Sequence, residues 1–177
     1  VGGKGKAKRI YSKKVAPIFD LAGISTEVIT TNRQNHARDT LRDYDLSKVD
    51  GVVSIGGDGM YTEIVHGLMN RTLTDHNIDQ LIPEMVLPQP AVRIGIIPAG
   101  STDTVACTTY GTRDAETAAL HIVIGKLCHD GNCVFIFGCL GDETAVDIAT
   151  CFSGNRFLKY NVSMMAYGFY GDCIINS

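Results

Sequence analysis

The sequence predicts an α/β fold in which a parallel-sheet lobe precedes the start of a β-rich lobe. Apolar segments of strand length alternate with segments of helical periodicity over residues 8–125, as in a parallel sheet with covered faces. Over residues 157–170 the apolar residues recur at every second position, a period typical of half-buried β-strands. The chain has 177 residues, 45% of them hydrophobic, which is enough for one sizeable domain and part of another.

The first part of the chain is predicted to form three helices and two strands. Apolar residues at helical spacing predict a helix over residues 8–21, in which Pro17 favours a kink or a break because it has no N–H. The short apolar run at residues 27–31 predicts a buried strand. The other predicted elements are a helix over residues 35–44, a strand over residues 51–55 and a helix over residues 60–69.

The rest of the chain is predicted to contain a loop, three further strands and two further helices. Residues 71–90 are polar, contain Pro83, Pro88 and Pro90, and lack periodicity, which indicates a long surface loop. Asp114 can cap a helix that begins at the following residue. The predicted elements are a strand over residues 92–97, a short helix after residue 103, a helix over residues 115–124 and strands over residues 145–149 and 157–170.

The composition places the domain boundaries and excludes several classes of protein. We expect an α/β domain over residues 1–125, an insertion over residues 126–142 and a truncated β-rich domain over residues 143–177. A net charge of -3 gives no electrostatic footprint for nucleic acid, and no apolar run has the length of a membrane span. The chain starts on glycine-rich residues and stops just after an apolar segment, so we expect a fragment of a longer protein.

Cysteine usage favours a reducing compartment. The six cysteines form no Cys-x-x-Cys pair, so a zinc site is not expected. An even number of cysteines could also form disulfides, but in an α/β protein of this kind we expect free thiols and a cytoplasmic location.

A glycine-rich junction at residues 56–59 predicts a phosphate-binding loop. It follows the strand at residues 51–55 and opens the helix at residues 60–69, so backbone N–H groups lie at a positive helix end. Asp58 lies among the glycines, and a carboxylate there suits phosphoryl transfer, in which a group orients magnesium or takes a proton. Taken alone, the motif is as consistent with a plain tight turn.

A second glycine loop at residues 98–103 follows the strand at residues 92–97. Gly100 makes the turn, and Ser101, Thr102 and Asp103 offer polar side chains. Because the carboxyl ends of parallel strands bind ligands in α/β sheets, two such loops are more specific than either one. Residues 2–6 are a candidate third phosphate loop with a flexible basic terminus as the alternative. Six basic residues between positions 4 and 14 could steer a nucleotide or an anionic membrane surface, or could form a solvated helix face.

Five segments together resemble the diacylglycerol kinase-like catalytic domain that diacylglycerol, sphingosine and ceramide kinases share. They read GGKGK, TTNRQNHA, GGDGMYTE, GIIPAGSTD and YGFYGD, and PAGSTD together with DAET and LHIV is similar to the ceramide-phosphorylating branch. Residues 126–141 have no counterpart in the family pattern. The resemblance implies an ATP- and Mg²⁺-dependent lipid kinase that acts on ceramide at a membrane surface as a peripheral protein.

The resemblance also implies roles for individual residues. Asp58 corresponds to a candidate base or magnesium organiser, and Asp172 to an acid that faces the lipid hydroxyl. Without the resemblance, Asp172 would be interpreted as a turn residue and Glu63 as a solvated helix position. The residues implied to bind the nucleotide are Gly2, Gly3, Gly5, Thr31, Gly56, Gly57, Gly59, Glu63, Gly100 and Ser101.

Other functions stay open at the level of the sequence. Diacylglycerol and sphingosine kinases are the nearest alternatives within the family. NAD kinases and phosphofructokinase-like enzymes also carry GGDG after a strand, but the Asn-Glu pair of NAD kinases is not evident here. A truncated product that binds nucleotide or lipid without catalysis is the non-enzymatic alternative.

Overall fold

The computed structural model describes residues 6–129 and 146–165. Gly2, Gly3, Gly5 and Asp172 lie outside the described residues, and so do residues 130–142 of the predicted insertion. The helices and strands after the N-terminal helix are α3 His36–Asp43, β1 Gly51–Gly56, α4 Asp58–Asp75, β2 Arg93–Pro98, α5 Thr104–Tyr110, α6 Ala115–His129, β3 Ala149–Ser153 and β4 Arg156–Asn161, with a 3₁₀ turn at Leu46–Lys48.

The predicted N-terminal helix is confirmed, with a local irregularity before Pro17. It consists of α1 Lys6–Ile10, a π-helical turn Tyr11–Val15 and α2 Ala16–Leu21. The N–H of Ala16 bonds to the carbonyl of Tyr11, five residues earlier, and the proline that follows has no N–H to continue the usual pattern. Val15 and Phe19 are buried against Ile97 of β2 and the alanines of α6, so this helix covers one face of the sheet.

The parallel sheet is confirmed as the pair β1 and β2. Gly51 lies opposite Arg93 at the start of the pair and Gly56 lies opposite Pro98 at its end. Parallel strands in register end at the same edge of the sheet, so the loops after both strands are neighbours. The sheet therefore brings the two predicted glycine loops together.

Helix α4 is the central element of the α/β part. Its buried residues contact α3 on one side and the β-hairpin on the other. Gly67 allows the close approach of α3, because a Cβ at this position would lie 2.9 Å from the carbonyl oxygen of Arg38. Helix α4 is longer than predicted, since the first five residues of the predicted 71–90 loop extend it to Asp75.

The antiparallel hairpin β3–β4 packs onto α4 through His66 and Tyr160. His66 Nε2 donates to the carbonyl of Tyr160 at 3.1 Å, and the two rings meet edge to face at 5.1 Å. Tyr160 is 1% exposed, and its burial raises the pKa of the phenol to about 12. The start of the β-rich part therefore shares a hydrophobic core with the α/β part.

The predicted strand at residues 27–31 is wrong. The segment has no regular secondary structure, and Val28 and Ile29 are 55% and 46% exposed. Within the described residues β1 pairs only with β2, and a cleft of about 2790 Å³ is lined both by this segment and by β1. An apolar run that meets no strand partner forms no ladder, whatever its β-propensity.

The strands of the hairpin lie at other positions than predicted. Residues 146–148 are not in a strand, and β3 begins at Ala149. The strand predicted for residues 157–170 begins one residue earlier and ends at Asn161, and its part beyond residue 165 lies outside the described residues. Gly154, at φ 58°, lies in the hairpin turn, and β3 and β4 meet this turn directly, since Ser153 pairs with Arg156. Alternation alone does not locate that turn.

Two further observations concern the cysteines and the membrane. Cys107 and Cys151 are free thiols, as predicted for these two positions. None of the helices among residues 6–129 and 146–165 is long and apolar enough to cross a membrane.

Asp114 caps α6 as predicted, and its removal should destabilise the domain. Its Oδ2 accepts the N–H of Thr117 at 2.8 Å, and this bond lowers the pKa of the carboxyl. We expect Asp114→Ala to cost about 1 kcal/mol of unfolding free energy, measured by urea denaturation of the full-length protein. Because the pKa is lowered on folding, this contribution should persist at neutral pH and disappear as the pH falls below about 4.

Glu116→Ala is the matched control. Lys14 Nζ lies 3.5 Å from Glu116 and 3.7 Å from Asp114, so both variants remove an exposed ion pair and only one removes the cap. Equal destabilisation by the two variants would contradict the capping role.

Candidate nucleotide-binding site

The two glycine loops, residues 56–59 and 98–103, touch each other at the carboxyl edge of the sheet. The N–H of Ala99 donates to the carbonyl of Gly56 at 2.9 Å. A Cβ on Gly100 would lie 2.5 Å from the Cα of Gly57, and a Cβ on Gly57 would lie 3.1 Å from the Cα of Gly100. Gly100 therefore requires glycine and Gly57 leaves little room for a side chain, because backbone meets backbone, and the two loops form a single surface.

Gly59 differs from these two glycines because it faces open space. Apart from its chain neighbours and the backbone of its own helix, a Cβ on this residue would meet no atom of the described residues within 4 Å. Gly59 is the second residue of α4, where the backbone N–H groups have no partner within the helix and the helix dipole is positive. An anion can therefore reach these N–H groups without a side chain in its way.

Asp58 joins the first loop to the helix after the second loop. Its Oδ1 accepts the N–H of Val105 at 3.0 Å and its Oδ2 accepts the N–H of Thr104 at 3.1 Å. The carboxylate thus caps α5, although it lies on another helix. A carboxylate has about four lone-pair positions, so these two bonds leave each oxygen able to accept a proton or bind a cation.

Two charged residues stabilise the second loop: Asp103 belongs to the loop, and Arg113 contacts it from the connection between α5 and α6. Asp103 is 5% exposed and adopts a left-handed backbone conformation at φ 54°. Its Oδ1 accepts the N–H of Gly100 at 2.8 Å. Arg113 donates to the carbonyl of Ser101, and its Nη2 lies 3.6 Å from Asp103 Oδ2.

Glu63 ties a third segment to α4. Its Oε1 accepts the N–H of Asn35 at 2.9 Å. Asn35 itself adopts a left-handed backbone conformation at φ 60°. His36 Nδ1 accepts the N–H of Asn32 at 3.2 Å, which closes the turn that follows Thr31. Glu63 Oε2 is buried with no hydrogen-bond partner among the described residues. Glu63 is therefore a positioning contact in this structure, and the interpretation as a solvated helix position is wrong.

The structure brings most of the described candidate residues into one region. Sequence reasoning did not find Arg113, because it lies in the connection between α5 and α6 and belongs to no glycine motif. Among the described residues, no three His, Cys, Asp or Glu side chains form a cluster suited to a metal ion. The candidates that share the region are Gly56, Gly57, Asp58, Gly59, Gly100 and Ser101, and Glu63 holds the segment after Thr31 against the same helix.

A parallel sheet with two contacting glycine loops at its carboxyl edge is the arrangement in which α/β domains bind ligands. The chain belongs to the diacylglycerol kinase catalytic domain family, which matches residues 1–130. The resemblance noted in the five sequence segments is confirmed at the level of the family.

Similar proteins include kinases of two sphingolipid classes. A human ceramide kinase is 47% identical over 176 residues, which cover 99% of this chain. A ceramide kinase 1 of Caenorhabditis elegans is 35% identical over 99% of the chain. A sphingoid long-chain bases kinase 1 of Arabidopsis thaliana is 30% identical over 97% of the chain and 19% of its own length. The chain spans about 30% of the length of these two ceramide kinases.

Two glycine-to-alanine variants distinguish loop contact from ligand contact. Gly100→Ala should cost about 1–3 kcal/mol of unfolding free energy, because its Cβ would push the two loops apart. Gly59→Ala should leave stability unchanged or raise it by up to about 1 kcal/mol, yet lower ATP affinity about tenfold by filling the space at the helix end. Urea denaturation and calorimetric ATP titration of the full-length protein measure the two effects. An unchanged ATP affinity in Gly59→Ala would show that nucleotide phosphates lie elsewhere.

Proposed function

We propose that the full protein is an ATP-dependent lipid kinase that transfers the γ-phosphoryl group to the primary hydroxyl of ceramide, giving ceramide 1-phosphate. The observation that carries this proposal is the 47% identity to a human ceramide kinase across 99% of the chain, including both glycine loops. The geometry supports it, since phosphoryl transfer needs positioned backbone donors and a nearby carboxylate.

The backbone around Gly57 and Gly59 would bind the phosphates of ATP. The two loops are in backbone contact before ligand arrives, and a preformed site of this kind would leave little ordering cost for binding. Gly100 and Ser101 would contact the nucleotide from the second loop. Thr31, held near α4 through Glu63 and Asn35, would contribute from a third side, and Gly2, Gly3 and Gly5 would form the remaining phosphate loop.

Asp58 is the candidate base or magnesium ligand on the described part of the chain. Its two bonds to the N–H groups of Thr104 and Val105 fix the position of the carboxylate and leave lone pairs for a further partner. Mg²⁺ in kinases is commonly held by one or two carboxylates together with the phosphates, and a single fixed Asp fits this pattern. When bound, Mg²⁺ would neutralise the negative charge of the phosphate oxygens.

The acceptor hydroxyl must lose its proton as the phosphoryl group arrives. We assign this proton to Asp58 or to Asp172, which resembles the family acid that faces the lipid hydroxyl. A carboxylate within hydrogen-bond reach of the hydroxyl would accelerate the step by about 100-fold or more.

We also propose that the protein works on the cytoplasmic surface of a membrane as a peripheral protein. Ceramide is held in the bilayer by its acyl chains, so the enzyme must reach it there. Anionic lipids attract basic segments, and exposed basic side chains lie along the N-terminal helix. They are Lys6, Lys8, Arg9 and Lys13.

An acceptor comparison tests the proposed substrate. Full-length protein with MgATP is incubated with ceramide, sphingosine or diacylglycerol in mixed micelles, and labelled product is measured. We expect kcat/KM for ceramide to exceed the other values at least about tenfold. A preference for sphingosine would favour the sphingoid-base kinases, and ATP binding without transfer to any lipid would favour a non-catalytic protein.

Asp58→Asn tests the role of the carboxylate. Asparagine offers one acceptor oxygen, and its NH₂ group would face one of the N–H groups of α5. We expect kcat to fall by about 100-fold or more, and a loss of about 1–3 kcal/mol in unfolding free energy from the unpaired donor. Asp75→Asn, at the other end of the same helix and in an exposed ion pair with Arg71, is the control. Near-normal turnover in Asp58→Asn would contradict the assignment.

A further inference from the structure

Arg113 lies in the connection between α5 and α6, and its side chain reaches the second glycine loop. It lies between Gly111, which ends α5 in a left-handed conformation at φ 68°, and Asp114, which caps α6. Gly111 donates its N–H to the carbonyl of Cys107 in α5, and Asp114 accepts the N–H of Thr117 in α6. The short backbone segment that carries Arg113 is therefore held at both ends. From this anchored position its guanidinium reaches back to the carbonyl of Ser101 and to Asp103.

The partner of Arg113 within the loop is a buried carboxylate. Asp103 is 5% exposed, and its Oδ1 already holds the N–H of Gly100, the residue that meets the backbone of Gly57 in the first loop. A buried carboxylate needs compensation by donors or cations, and Arg113 Nη2 lies 3.6 Å from its second oxygen. The Arg113 side chain is 52% exposed, so the cost of desolvating it is modest.

The two interactions act on the same short segment. The carbonyl of Ser101 and the carboxylate of Asp103 lie on either side of Thr102, and the same Nη2 group bonds to the first and lies near the second. This fixes the backbone from Ser101 to Asp103, and through Gly100 it fixes the contact with the first loop. An arginine suits this task because its planar group presents several donors in a fixed geometry, whereas lysine is a flexible point charge.

We propose that Arg113 is a positioning residue that sets the affinity of the glycine loops for the nucleotide. This inference rests on the proposed function, since it requires ATP to bind at these loops. Arg113 acts through Ser101 and Asp103 and has no role in the transfer step. Its removal should therefore weaken ATP binding without slowing the transfer from bound ATP to the lipid.

The test compares Arg113→Gln and Arg113→Lys with Arg42→Gln in the full-length protein. Arg42 pairs with its neighbour Asp43 on the surface of α3, so its variant removes an exposed arginine ion pair away from the loops. Calorimetry gives the Kd of ATP, and steady-state kinetics give kcat and the KM values for ATP and ceramide. We expect Arg113→Gln to raise Kd and KM for ATP about tenfold and to change kcat and the KM for ceramide less than twofold. Arg113→Lys should recover part of the ATP affinity, and Arg42→Gln should match the wild type.

Several outcomes would overturn the proposal. One is an ATP Kd in Arg113→Gln equal to that in Arg42→Gln. Another is a change in kcat or in the KM for ceramide as large as the change in the KM for ATP, because that result indicates general damage to the enzyme. If Arg113→Gln does not fold, Arg113→Lys decides, because a wild-type Kd in that variant contradicts the need for the planar group. Wild-type protein that binds ATP but phosphorylates no lipid refutes the proposed function and leaves the Kd comparison valid. Absence of ATP binding in the wild type refutes both.

Discussion

The contact between two glycine loops is the constraint on which the rest of the candidate site depends. Gly57 and Gly100 meet backbone to backbone, which is possible because β1 and β2 are parallel and end in register at the same edge. Asp58 then bridges from the first loop to the start of α5. The sheet supplies the position, the glycines allow the approach, and the carboxylate holds the two loops together.

Charged side chains reinforce this contact from the surrounding elements. Asp103 holds the N–H of Gly100 from within the second loop, and Glu63 holds the segment after Thr31 against α4. Since α4 also carries Asp58 at its first turn and His66 against the β-hairpin, one helix connects three parts of the molecule. A shift of α4 would therefore disturb the two glycine loops and the packing of the β-rich part together.

The sequence was sufficient to predict the elements whose signals are local. Helical periodicity located the N-terminal helix and α3, and glycine turns after apolar strands located the two loops. The prediction failed for residues 27–31, because strand formation depends on a partner that no local pattern reveals. It also missed Arg113, whose bond to Ser101 depends on the path of the chain through α5. The role of Glu63 likewise arises from a hydrogen bond between residues far apart in the sequence.

The central claim is that both glycine loops bind the nucleotide as one unit. Hydrogen–deuterium exchange of the full-length protein, with and without MgATP, tests it most directly. The account predicts that ATP slows exchange in peptides covering residues 56–60 and residues 98–105 at the same nucleotide concentration. Protection of only one loop, or of neither at an ATP concentration that saturates the protein, would contradict it.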